Sequence, residues 1–228
     1  MIDFHSHILP NIDDGSKSAE ESLKLLRREK KQGIDLVAAT PHFNVHHNNT
    51  VERFLRRRDE AWKKLQQEDL SDMPKILLGA EVEYYYNISN LENLSSLCLE
   101  NTNLLLLEMP FQKWSSLEIN EVEKLSKHSD VIPVLAHVDR YLRFQDNDTL
   151  EKLLFNGVIF QVNAEAFLSI FQRRKVMKML DRGQIGFLGS DCHDIEHRPP
   201  CMKEAMDVIS KKHGSLRMLF DIEEFYKS

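Results

Sequence analysis

Short, wholly apolar runs alternate along this chain with longer stretches whose apolar residues recur every three or four positions. Apolar runs without polar alternation are the pattern of parallel strands buried on both faces. The periodic stretches predict helices laid against them. The runs place strands at Met1–Phe4, Ile34–Thr40, Lys75–Val82, Leu104–Leu107, Val131–Ala136, Val158–Val162 and Ile185–Leu188. Between them, Ser18 and Glu21 form a capping box that opens a helix ended by Gly33, and Thr50 caps a long helix carrying Val51, Phe54, Leu55, Trp62 and Leu65 on one stripe. Further helices are predicted near Ser89–Leu99 and over Ser116–His128, Asp148–Asn156 and Glu165–Asp181. A last one runs from Pro199-Pro200 through Lys212, before a polar tail, Ser215–Ser228. The run Arg56-Arg57-Arg58 reads as a solvated helix face. A β-α unit repeated about seven times is the signature of an α/β fold, expected here as a βα barrel, with an open doubly wound sheet as the runner-up.

Length and composition narrow the class. The 228 residues suit a single domain over 1–228, with an ordinary 42% hydrophobic and 29% charged content. A net charge of −6 argues against a nucleic-acid binder, which needs a basic surface. The three cysteines, Cys98, Cys192 and Cys201, make no C-x-x-C pair, and an odd number of thiols fits a reducing cytoplasm. No apolar run approaches the roughly 20 residues of a membrane span, so no membrane insertion is expected. The N-terminus has no basic-then-apolar signal pattern, and a motif starting at Met1 leaves no room for a cleaved leader. A cytoplasmic protein of open oligomeric state is the expectation.

Chemistry enters at the strand ends. His5 and His7 are spaced i, i+2 and face one point when carried on a strand. Alone, such a pair is as readily two surface histidines. Yet Asp14, His42, Glu81, Glu108, His137, Asp191 and His193 also follow the C-terminal ends of predicted strands, the face on which barrel enzymes build their sites. Nine imidazole and carboxylate side chains suffice for two or three ions when one carboxylate bridges, and nitrogen and oxygen donors suit Mn, Fe or Zn.

The ordered segments Met-Ile-Asp-Phe-His-Ser-His, Asp13-Asp14-Gly15-Ser16, Thr40-Pro41-His42, Gly79-Ala80-Glu81-Val82, Leu107-Glu108, Ala136-His137-Val138-Asp139-Arg140-Tyr141 and Gly189-Ser190-Asp191-Cys192-His193 resemble the PHP (polymerase and histidinol phosphatase) superfamily. The likeness spans Met1 to about Gly214. It is strongest to the bacterial protein-tyrosine phosphatases of capsule and exopolysaccharide operons, the CpsB/YwqE type. The resemblance implies a distorted (β/α)7 barrel with up to three Mn2+ ions. By it, His5, His7, Glu81 and Asp191 hold the first ion, Glu81 bridges to a second completed by Glu108 and His137, and Asp14, His42 and His193 hold the third. It also implies that Arg140 and Arg198 clamp phosphate, and that the substrate is a phosphotyrosine-bearing bacterial tyrosine kinase. Hydrolysis by metal-activated hydroxide without a covalent intermediate is then expected, with a small-molecule phosphatase such as one for histidinol phosphate as the alternative. The loop 43–49 is expected to shape substrate access, with His46 and His47 solvated or, as the alternative, in contact with the phosphopeptide.

One competing motif needs weighing. Cys192 and Arg198 satisfy the C-x5-R spacing of cysteine-dependent phosphatases, but the loop between them holds Asp194 and Glu196 and no glycine. Acidic side chains would repel phosphate, so Cys192 is not expected to be a nucleophile.

Overall fold

The computed structural model describes residues 1–48, 50–213 and 219–227, and the side chains of all of these except His47, Asn48 and His213. Two of the expectations above touch residues outside that set: the His47 side chain and Asn49 in the access segment, and residues 215–218 and 228 of the tail.

The strands are β1 (Ile2–Ser6), β2 (Leu36–Ala39), β3 (His42–Phe43), β4 (Lys75–Leu78), β5 (Glu81–Glu83), β6 (Leu104–Glu108), β7 (Ile132–Leu135), β8 (Ile159–Asn163) and β9 (Phe187–Gly189). They form a three-stranded sheet in the order β1-β2-β4 and a six-stranded sheet in the order β3-β5-β6-β7-β8-β9, and every pairing between them is parallel. The helices are α1 (Ala19–Lys31), α2 (Val45–Asn48), α3 (Val51–Leu65), α4 (Ser116–Leu125), α5 (Val138–Tyr141), α6 (Asn147–Phe155), α7 (Ala164–Leu168), α8 (Arg173–Asp181) and α9 (Met202–His213). This is an α/β fold whose parallel sheet curls back on itself. Just past β9, the His7 amide donates to the Cys192 carbonyl at 2.9 Å and the Asp191 amide to the His5 carbonyl at 2.7 Å, which brings the last strand alongside the first.

Two apolar clusters hold the layers together. The larger lies between sheet and helices; the smaller, with Phe4, Ala38, Leu77, Leu106, Val134 and Phe187, fills the concave side. Phe4 stacks on Phe187 with ring centroids 4.1 Å apart, a contact contributing about 0.5–1.5 kcal/mol beyond area burial. A regular strand would turn Phe4 and His5 to opposite faces. The register of β1 slips between Asp3 and Ser6, and that irregularity accompanies their sharing the concave side.

Several elements differ from the sequence expectation, each for a local reason. The strand expected at Lys75–Val82 is broken in two, and the one expected at Ile34–Thr40 ends at Ala39 and is followed by a separate short strand, β3; in each case the two pieces join different sheets. One break falls at Pro41, which has no N–H to give to a ladder, the other at Gly79-Ala80. His42 therefore begins a strand rather than following one. The helix expected near Ser89–Leu99 is two 3-10 turns, Ile88–Asn90 and Leu94–Leu97, each preceded by an asparagine in the left-handed region that this residue tolerates. The single helix expected over Glu165–Asp181 is interrupted after Leu168, where the Arg173 guanidinium donates to the Phe167 and Leu168 carbonyls and so satisfies the end of α7. Ser18 does cap α1, but the Glu21 carboxylate accepts from the Lys17 amide, not from Ser18, so the box is not reciprocal. Arg57 and Arg58 are not simply solvated: they donate to the carbonyls of Ile12 and Gly79. The tail is less polar in effect than in composition, because Ile222 and Phe225 join the inner cluster.

Candidate metal centre

All nine strand-end residues singled out from the sequence meet at one rim of the curled sheet, where the C-terminal ends of the strands converge. The Nε2 atoms of His5 and His7 lie 3.1 Å apart. Glu81 Oε2 stands 3.2 and 3.3 Å from them, and Asp191 Oδ1 3.6 and 3.5 Å. The other oxygen of Glu81 faces His137 Nε2 at 3.0 Å, and that nitrogen is 3.3 Å from Glu108 Oε1. On the far side, Asp14 Oδ1 is 3.4 Å from both His42 Nε2 and His193 Nε2, while His42 Nδ1 leans on Glu81 Oε2 at 3.0 Å. Glu81 is thus the shared carboxylate.

The outer nitrogens of the rings fix which way their lone pairs point. His5 Nδ1 is 3.2 Å from the Gln161 side-chain oxygen, His7 Nδ1 is 2.8 Å from Asp13 Oδ2, and His193 Nδ1 is 3.0 Å from the Asp191 carbonyl. Each Nδ1 faces an oxygen that can accept its proton, which leaves each Nε2, once deprotonated, to aim a lone pair inward. Two ring nitrogens 3.1 Å apart against a buried carboxylate share a proton when no cation is bound and offer lone pairs to a cation once that proton is shed. Glu81 Oε2 and His193 Nε2 are buried with ion-pair contacts alone, none aligned as a hydrogen bond among the described residues. Such a set fits divalent cations and little else.

Charge follows the same geometry. Burial alone would raise the Glu81 carboxyl and lower His7, His42 and His137. Instead His5, His137 and His42 hold Glu81 well below the usual carboxylate range. Asp13 and Glu81 hold His7 well above its ordinary value, and Glu108 and Glu81 raise His137 to about 9. His193 is the exception, lowered to about 4 by burial and by the charge on His7. Burial would likewise raise Asp191, but its neighbours, His5 foremost, hold it low.

Local backbone supports the placement. His137 and Asp191 both take positive φ, 33° and 52°, just past the ends of β7 and β9, a conformation that costs about 1–3 kcal/mol in a non-glycine residue and that clusters at functional sites. A Cβ at Gly189 would lie 2.5 Å from that of His5, and one at Gly15 would collide with His7, so only glycine lets these segments approach the histidine pair.

The two arginines reach the rim as well. Arg140 Nη2 lies 2.6 Å and Arg198 Nη2 2.8 Å from the same oxygen, Asp191 Oδ2. Three residues that the sequence reading left without a role complete the support. Gln161 also accepts from the His137 amide at 2.7 Å, Asn163 donates to Asp191 Oδ2 at 3.0 Å, and Asp13 accepts from the amides of Gly15 and His42. Cys192, by contrast, is fully buried beneath the rim, and burial pushes its thiol well above the ordinary range.

Nitrogen and oxygen donors gathered around one shared carboxylate are the donor set of metal-dependent enzymes. A family profile for capsular polysaccharide synthesis, CpsB/CapC, matches residues 1–220, and the chain belongs to that family. It is similar to the tyrosine-protein phosphatase CpsB of Streptococcus pneumoniae, 30% identical across 94% of this chain and 92% of the relative. The tyrosine-protein phosphatase YwqE of Bacillus subtilis is also 30% identical, across 94% of this chain and 86% of its own length. A solved structure from work on YwqE of Bacillus subtilis and CpsB of Streptococcus pneumoniae, described as unique metal-dependent tyrosine phosphatases, superposes with a TM-score of 0.80 at 28% identity, covering 95% of this chain and 89% of that one.

Proposed function

We propose that this chain is a cytoplasmic, metal-dependent protein-tyrosine phosphatase acting in capsular or exopolysaccharide synthesis, with a bacterial tyrosine kinase of that system as substrate. The two broken strands, β2 with β3 and β4 with β5, count as one each in this reading, so that seven strands close as a (β/α)7 barrel. The residues at its rim fit a metal cluster. His5, His7, Glu81 and Asp191 would hold one ion; Glu81, Glu108 and His137 a second; Asp14, His42 and His193 a third. Manganese is the ion we favour, with iron or zinc as the alternatives. When bound, such ions supply Lewis acidity and bring the pKa of water from 15.7 down to about 7.

The chain's own residues do the rest. Asp13 and Gln161 fix the tautomers of His7 and His5, and Glu81 spans two of the groups. Arg140 and Arg198, now both on one oxygen of Asp191, are placed to turn to the phosphate oxygens, where charge is concentrated during phosphoryl transfer. Tyrosine, with a pKa of about 10, leaves readily enough that no strong general acid is required. With solvent as the nucleophile, no covalent phosphoenzyme is expected.

The observation that carries this reading is the 3.1 Å approach of two imidazole nitrogens against Glu81 and Asp191. Metal analysis of the purified protein tests it, together with turnover of a phosphotyrosyl peptide and of histidinol phosphate after chelation and add-back of Mn, Fe or Zn. Metal-restored turnover that favours the peptide is expected. Chelator-insensitive turnover, or preference for histidinol phosphate, would overturn it.

A further inference from the structure

Beside the rim lies a cleft lined by Phe111, Arg140, Arg143, Phe171 and Lys175. It opens directly onto the candidate centre. Arg140 lines the cleft and reaches Asp191, and the Phe111 ring stacks on His137 with centroids 5.6 Å apart. Its far wall is the interruption between α7 and α8, where Ile170 and Phe171 stand 87% and 90% exposed. Two large apolar side chains so open to solvent mark a surface that something else covers.

The charge of the cleft identifies its occupant. In a chain of net charge −6, the lining brings together three cations and one acid, Asp139. Asp139 is buried and already accepts from the Asn163 amide at 2.9 Å. Arg143 and Lys175 are exposed, and neither makes an ion pair with a carboxylate among the described residues. Arg143 lies over the Phe144 ring, 4.5 Å from its centroid. We propose that this cleft binds the peptide on either side of the phosphotyrosine, with acidic side chains of the substrate on Arg143 and Lys175 and an apolar one against Phe171. The proposal rests on the phosphatase reading above and adds to it a selectivity for acidic phosphotyrosyl segments.

The test uses one labelled phosphotyrosyl peptide flanked by glutamates and one flanked by lysines. Binding to the full chain is followed by fluorescence anisotropy, and hydrolysis is compared with that of p-nitrophenyl phosphate. The double variant R143E/K175E should weaken the glutamate-flanked peptide about tenfold or more and strengthen the lysine-flanked one, and Phe171→Ala should weaken both about threefold. The ratio of kcat/KM for the acidic peptide to that for p-nitrophenyl phosphate should fall about tenfold in the double variant, mostly through KM. Unchanged peptide affinity in R143E/K175E would overturn the proposal. So would a wild-type protein that hydrolyses p-nitrophenyl phosphate without binding the peptide, a dimer that Phe171→Ala dissolves, or displacement of the peptide by anionic vesicles. Charge-dependent peptide binding without turnover of any substrate would support the cleft and sink the phosphatase reading instead.

Discussion

His7 and Asp13 form the shortest contact behind the histidine pair: Nδ1 of the ring lies 2.8 Å from Oδ2 of the carboxylate, and the same carboxylate accepts from the amides of Gly15 and His42. Asp13 thereby fixes the tautomer of one candidate ligand and the backbone position of another. Removing its charge while keeping its shape separates these two effects. Asp13→Asn should leave the fold intact and lower metal affinity about 10–100-fold, with activity recovered at high metal concentration. Metal titration by calorimetry, alongside turnover at rising metal, measures both. Activity lost without recovery would mean that Asp13 does more than orient His7.

Much of this was legible in the chain because each candidate ligand interrupts or ends an apolar run that had no other use for it. Gln161 and Asn163 were legible in principle, since they sit at alternate positions of the otherwise apolar run Ile159–Asn163, which puts both on the concave side. The role of Asp13 was not, because nothing in the spacing of neighbouring aspartates says which one turns inward. The strand breaks and the interruption after Leu168 were hidden for a different reason. They depend on carbonyls being satisfied by Arg173 and on which sheet a half-strand joins, and both are tertiary choices that local propensity does not encode.

His137 gives the centre a pH signature. Glu108 and Glu81 overcome its burial and raise it to about 9. In chelated protein that raised pKa contributes stability that is fully present below its unfolded value of about 6.5, shrinks between the two, and is gone above about 9. Chelated protein should therefore lose Tm as pH climbs from about 6.5 to 9, and bound metal should flatten the trend, because the metal takes the place of the proton. Metal binding near neutral pH should release protons, seen as a calorimetric enthalpy that varies with the ionisation enthalpy of the buffer. Binding without proton release would contradict the charge state assigned to His137.

Glu29 carries no part of the centre yet is fully buried on α1, facing Asp3 behind β1, and neither of its side-chain oxygens has a hydrogen-bond partner among the described residues. The position was legible too, since Ser22, Leu25, Leu26 and Glu29 share the buried face of the helix. Burial, and then the charge of Asp3, raise its carboxyl well above the usual range. A raised folded-state value means that the folded chain keeps a proton the unfolded chain has lost, so stability falls as pH rises above about 4.5. Glu29→Gln removes that penalty at nearly constant shape. Its Tm should match the parent near about pH 5 and exceed it increasingly toward about pH 8, at about 2–4 °C for each kcal/mol gained. Thermal denaturation across that range measures the divergence; a constant offset would mean that Glu29 is not protonated in the fold.

Cys192 separates two kinds of phosphatase chemistry. A thiolate nucleophile needs exposure and a lowered pKa. Cys192 has neither, being fully buried with its thiol pushed well above the ordinary range by that burial. The arginine that completes its C-x5-R spacing, Arg198, is on Asp191 at 2.8 Å. Cys192→Ser should thus keep most turnover, at a modest cost in stability, and thiol alkylation should leave the native enzyme active. Asp191→Ala should abolish turnover and, by leaving Arg140 and Arg198 without their shared carboxylate, also change the response to added phosphate. The pair of variants, assayed on the same phosphotyrosyl peptide, decides between the chemistries: loss of turnover in Cys192→Ser with retention in Asp191→Ala would reverse the assignment of the nucleophile from solvent to sulfur.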